Sequence, residues 1–406
     1  MSSSSNESGA CGGASDADSV RHMFGKATLH DDEENYSSTE ERDICPNYLH
    51  GSCLKCDVGY RPHGKLEFKS GCRWKDRERN ILRILNFPVG MSFRRSNSEI
   101  ISAWLICPTI EEIPDSDIRR TLRSLQTPQL KRLVDTVLRV EWSDIIDRDP
   151  FLWLVYDFSK KYDMKNTPHG KLLRYAETDY RENKDCKVTY NQRSALFSWI
   201  ETCKLMELDV VKLPELHLDD LLYELIRCAA EEVDLQLVVK LRESSERQIV
   251  VCSQTVTVQS NIKVSALAKD ILHVITYTEN KSMPRGQTPS KMEEFLGQVA
   301  AEGLAVAQHS PYGNESYKTV YNMSLFAVHT DHAWKLIAYA IQCHFSKEMI
   351  ANMAKCPIPN PLKKSVILHD DIEFTADMHG KEIITFLYSA FKGFFTLFKM
   401  QRNDDA

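Results

Sequence analysis

The stretch from Ile44 to Gly64, ICPNYLHGSCLKCDVGYRPHG, gathers three cysteines and two histidines into 21 residues. Such a short, loop-rich segment has too few apolar groups to order itself by burial, so a bound metal is the element that would fold it. Zinc takes four tetrahedral ligands from thiolate and imidazole, and Cys45, Cys53, Cys56 and His63 supply that set. The seven residues between Cys45 and Cys53 allow a short turn or helical hook. Cys53 and Cys56 bite the ion from one tight turn, and His63 closes the site. Pro46, Gly51, Gly59 and Pro62 fall between the ligands, where the backbone must bend sharply. Cys72 or His50 is open as a replacement for one of the four. A redox role for Cys53 and Cys56 lacks the strand-to-helix context it needs, and a two-zinc module would require more ligands than the neighbourhood holds.

Charge divides sharply around this segment. Residues 1–43 are rich in Ser, Gly and acid, including Asp31 to Glu34 and Glu40 to Asp43, and are expected to form a disordered leader. From Arg61 to Arg95 the sign reverses: ten Lys and Arg residues face only Glu67, Asp76 and Glu78. The net charge of -6 gives no global reason to bind nucleic acid, so such binding would come from this local block. The Ser-rich leader and Phe93 to Ser98 are expected phosphorylation sites, whose added charge would compete with RNA for the block. The first residues lack a basic region followed by an apolar one, so no secretory signal is read there, and an intracellular setting, nuclear or cytoplasmic, is expected. In that setting Cys107, Cys186, Cys203, Cys228, Cys252, Cys343 and Cys356 read as buried thiols.

Helical periodicity dominates the remainder. Trp74, Ile81, Leu82 and Leu85 predict an amphipathic helix in RWKDRERNILRILNF, and Leu130 to Leu138 predict another after Thr127 and Pro128. Further helices are expected after Thr288 and Pro289 and over Gln192 to Met206, Asp219 to Val233, Val264 to Thr276, His332 to Lys355 and Lys381 to Met400. Only Arg247 to Ser260 reads as strand. The apolar run Ile383 to Phe398, interrupted by Lys392, is expected to be a core or docking helix rather than a membrane span. The fold class is therefore expected to be mainly α with a minor β element. Its organisation is a leader (1–43), a zinc-binding module (44–72), a helical domain (73–280) and a helical continuation or second helical subdomain (281–406).

CPNYLHGSC, with Tyr48 and Gly51 between Cys45 and Cys53, resembles the opening half of a CCCH-type zinc finger. His63 stands ten residues after Cys53, as in that family. The family usually places its third cysteine four residues before the histidine; Gly59 occupies that position here, and Cys56 stands three positions early. The aromatic that follows the third cysteine is present as Tyr60. The layout of one finger ahead of a helical body also resembles the zinc-containing transcription factors of pneumoviruses and filoviruses, by architecture alone. The resemblance implies zinc as cofactor and single-stranded RNA as partner.

The residues suit that role. Tyr48 and Tyr60 would stack on bases, and Lys55, Arg61, Lys65, Lys69, Arg73 and Lys75 would neutralise phosphates. The expected function is a non-enzymatic, zinc-dependent RNA-binding regulator of transcription or RNA processing. Its helical body would make homotypic contacts or engage protein partners of such an assembly. The alternative is a zinc-stabilised protein-interaction adaptor, such as a viral antagonist of a host pathway, that does not bind RNA. The sequence offers two weaker candidates. One is a second metal site at His329, His332, Cys343 and His344; the other is magnesium at the acid pairs Asp219 and Asp220, Glu231 and Glu232, or Asp370 and Asp371. A phosphate-cradling glycine loop and the common hydrolase motifs are absent.

Overall fold

Half of the described residues are helical and 31% lie in strands, which makes this an α/β architecture and overturns the mainly α expectation. The computed structural model describes residues 70–88, 116–124, 149–182, 188–207, 214–242, 246–268, 270–283, 291–329, 334–355, 364–374 and 381–404.

Ten strands are present among the described residues. Eight form one mixed sheet: β1 (Ile84–Pro88), β2 (Leu237–Leu241), β5 (Ile262–Ala268), β6 (Ile271–Thr278), β7 (Lys281–Met283), β8 (Tyr317–His329), β9 (Trp334–Ser346) and β10 (Ser365–Phe374). The order across it is β1-β10-β9-β8-β6-β5-β2, with β7 continuing the β6 side of β8. β3 (Arg247–Val251) and β4 (Gln254–Val258) form a separate hairpin. The long β8–β9 hairpin is antiparallel, whereas β6 meets β8 and β1 meets β10 in parallel. Strands from both sides of Asn280 thus share one sheet.

The described helices are α1 (Asp76–Ile81), α2 (Ser116–Ser124), α3 (Pro150–Lys161), α4 (His169–Glu182), α5 (Tyr190–Glu207), α6 (Glu215–Glu232), α7 (Lys291–Ala307), α8 (Lys347–Asn352) and α9 (Lys381–Asp404). Helices α3 to α6 and α9 cover one face of the sheet; α7, α8 and the β3–β4 hairpin contribute to the core on the other, joined by Trp74 and Leu82 on either side of α1. β8 feeds both cores by alternation, with Tyr321, Met323, Leu325 and Ala327 on one side and Val320 and Phe326 on the other.

That double burial is why the strand sequences carry no strand signal. A strand buried on both faces loses its polar alternation and becomes a continuous apolar run, which periodicity alone does not distinguish from a buried helix. The segment Val264 to Thr276 proves to be β5 and β6. His332 to Lys355 is mostly β9, with only the short α8 behind it. The helix expected from Trp74 to Leu85 stops at Ile81 because Arg83 takes a left-handed φ of 54°, and the chain resumes as β1. The region expected as strand forms the β3–β4 hairpin. Its two-residue turn has Cys252 at φ 48° and Ser253 at φ 60°, the geometry of a primed hairpin turn without the usual Asn-Gly signature. Cys252 and Ser253 donate their backbone N–H groups to Met353 and Ala354, and these contacts hold the tip against the end of α8.

Helix α9 contains the 18-residue span Ile383–Met400, long and apolar enough to cross a membrane by length and composition, but 72% of it is buried in the protein. It is the core helix expected. Its interrupting Lys392 bonds Asp149 at 2.8 Å, and Tyr388 donates to the same carboxylate oxygen at 2.9 Å. The other Asp149 oxygen caps α3 through Phe151 N and Leu152 N, so one buried acid fastens two helices.

Candidate nucleic-acid interface

The cysteine and histidine segment reaches the described part of the protein at Ser70, through a stem that the body holds on two sides. Gly71–Arg73 form a single 3-10 turn, closed by Arg73 N donating to Ser70 O at 2.8 Å. The Ser70 hydroxyl donates to Thr257 O of β4 at 3.2 Å. Gly71 is pressed so close to β4 that a Cβ there would lie 2.1 Å from Val258 Cγ1. Trp74 is fully buried in the same core, with its backbone against Gly297 of α7; a Cβ on Gly297 would stand 2.1 Å from the Trp74 carbonyl oxygen. Two glycines, one on each side, thus permit the stem to be clasped between hairpin and helix. Beyond it, Glu78 accepts from Lys75 N at 2.9 Å, the return half of a capping box that starts α1.

Of the residues singled out from the sequence, Arg73 and Lys75 are exposed on and just after this stem. Cys72 belongs to the 3-10 turn by its backbone. The remaining expected ligands and contacts, Cys45, Cys53, Cys56, His63, Tyr48, Lys55, Tyr60, Arg61, Lys65 and Lys69, lie outside the described residues, as do His50 and the helix after Thr127.

A second cluster, not foreseen from the sequence, lies along the same hairpin. In the β3–β4 register Val258, next to the Thr257 that anchors Ser70, pairs with Arg247. In the main sheet, edge strand β2 sets Lys240 directly opposite Lys263 of β5. Lys263 is only 1% exposed, and its Nζ has no hydrogen-bond partner. Burial foremost, then Arg247 and then Lys240, push its pKa from the usual lysine range to about 8. The only cross-strand signal that would have exposed this cluster is a register that pairs residues 23 apart in sequence.

The neighbouring charges are differently arranged. Arg242 is held by Asp219 through Nε at 2.8 Å and Nη2 at 2.6 Å, while Asn261 and Asn280 donate to the other Asp219 oxygen. That carboxylate is fully occupied in joining α6 to the sheet, and Asp220 points outward, so this acid pair is a bracket rather than a magnesium site. Glu231 accepts from Thr189 and Asn191, and Glu232 approaches Lys392 at 3.6 Å. Asp370 and Asp371 are successive residues of β10.

The histidine group also disperses. His329 packs edge-on against Trp334, and His332 is outside the described residues. Cys343 approaches the Tyr277 hydroxyl at 3.8 Å, whereas His344 sits between Thr319 Oγ1 and Gln342 Oε1 on the opposite face of β9. Burial lowers His344 to a pKa of about 3, leaving it neutral. No group of three or more metal-ligating side chains occurs among the described residues. Cys203, Cys228, Cys252 and Cys343 are buried free thiols, and burial raises the first and last to about 12, far from a nucleophilic state. No protein-family model matches the chain, and no curated protein matches it in sequence.

Proposed function

We propose that this chain is a zinc-dependent regulator of transcription or RNA processing that binds single-stranded RNA through its cysteine and histidine segment and acts without catalysis. Zinc held by Cys45, Cys53, Cys56 and His63 orders the segment. Tyr48 and Tyr60 stack on bases, and Lys55, Arg61, Lys65, Lys69, Arg73 and Lys75 hold phosphates.

The observation that carries this reading is the clasped stem. Ser70 to Trp74 are fixed between β4 and α7, with Gly71 and Gly297 permitting the close approach. A segment on a loose tether would bind RNA independently of the body. One leaving a fixed stem would hold the bases and phosphates of a bound RNA at a set place on a large platform, which suits an assembly factor.

The test is fluorescence-polarisation binding of the full chain to a labelled single-stranded RNA at about 50 and 200 mM salt, with and without a zinc chelator. The expected result is binding that weakens steeply with salt and is abolished by the chelator and by Cys53→Ser. Salt-insensitive or absent RNA binding would overturn the reading in favour of the protein-interaction adaptor.

A further inference from the structure

We propose that Lys263, Lys240 and Arg247 form a phosphate-binding site where the sheet edge meets the β3–β4 hairpin, beside the stem. The argument starts from an arrangement a sheet ordinarily avoids. Like charges directly opposite each other on neighbouring strands repel, and here two lysines are register partners, with Arg247 added from the hairpin. Lys263 is enclosed, and burying an ammonium without a partner is costly unless it is neutralised or paired.

Among the described residues no acid pairs with the three cations. None of them makes an ion pair among the described residues; Glu246, exposed and next to Arg247 in sequence, makes none either. The nearby Arg242 is by contrast fully matched by Asp219. On the other side of Lys263 its register partner is Tyr277, whose hydroxyl donates to Val299 O at 2.7 Å and makes no hydrogen bond to the amine. Burial foremost, and then the two neighbouring cations, lower the proton affinity of Lys263, and a bound phosphate would oppose that shift. Lys240 stands opposite Lys263 in the register and Arg247 lies near enough to act on it, one cation enclosed and two half-exposed; a phosphate group would satisfy all three, with Arg247 offering a planar fork.

The phosphate can belong to the RNA strand proposed above or to a small phosphate compound. Only the first source rests on that proposal. The full chain is therefore melted in inorganic phosphate and in chloride at matched ionic strength, near pH 7, beside the double variant Lys240→Gln/Arg247→Gln, whose side chains are not part of the closed core. Phosphate is expected to raise the melting temperature of the natural chain by several degrees and to leave the variant unmoved. Equal melting in both salts, or an equal shift in the variant, overturns the site.

The source is then read from RNA affinity. A several-fold loss in the double variant, with a salt slope lower by about two, assigns the phosphate to RNA. Unchanged RNA affinity with the phosphate shift abolished supports the site and assigns it to a small phosphate compound. If the natural chain binds no RNA at all, the RNA reading fails, while the melting comparison still decides the site.

Discussion

His344 carries a consequence of burial that is measurable in stability. Enclosed beside Thr319 and Gln342, it is held neutral, with a pKa of about 3 against the ordinary 6.5. Between those two values the unfolded chain binds a proton that the folded chain refuses, so stability falls as pH drops from about 6.5 toward 3. The slope is at most about 1.4 kcal/mol per pH unit from this one residue. Denaturant melts of His344→Gln and the natural chain at pH 7 and pH 5 are expected to differ in pH sensitivity, with the variant flatter. An identical slope would show that His344 is free to take up its proton. Lys263 is its counterpart in a different window, because its lowered pKa makes it a source of destabilisation that is relieved as pH rises from about 8 toward 10.5. Neither residue announces this in sequence. A histidine beside a cysteine invites a metal reading, and nothing in the sequence around Lys263 marks it as enclosed. Strand alternation on β9 and register on β5 decided both.

Among the elements, the stem is the one whose role depends most on two small side chains. Gly71 and Gly297 are distant in sequence, one opening a 3-10 turn and the other inside α7, and neither has the positive φ that would mark a glycine locally. Only the approach of β4 and α7 to the stem shows why a Cβ is excluded. Gly297→Ala is expected to push Trp74 outward and to cost roughly 1–3 kcal/mol, the usual penalty for overpacking, as read by urea denaturation. If the stem positions the cysteine and histidine segment, RNA affinity falls in the same variant. A stability equal to that of the natural chain would mean that the clasp is loose. Elements that present one stripe to the core were legible: α5, α6, α7 and α9 lie where periodicity predicts them. The β3–β4 hairpin was legible as extended chain, but its turn was hidden because Cys252 and Ser253 adopt positive φ without glycine. β8 and β9 were opaque for the opposite reason, since burial on both faces removed the alternation by which a strand is recognised.

At the scale of the whole molecule, the described body is a sheet covered on both faces, and its fixed stem follows, in sequence, the residues that have the chemistry to hold zinc. The body was misjudged in class because its central sheet is covered on both sides, and the long-range pairing of β1 with β10 leaves no local signature. The proposed zinc ligands rest on the other kind of information: ligand spacing is short-range, and Cys45, Cys53, Cys56 and His63 lie within 19 residues. The phosphate site lies between these extremes. Its cations are visible in sequence, yet their convergence requires the fold. The central claim is that a zinc ion organises the segment ahead of the stem, and native mass spectrometry of the full chain tests it most directly. One zinc per chain, lost in Cys53→Ser and in His63→Ala, is the predicted result; a natural chain that carries no zinc, or a variant that keeps it, would contradict the account.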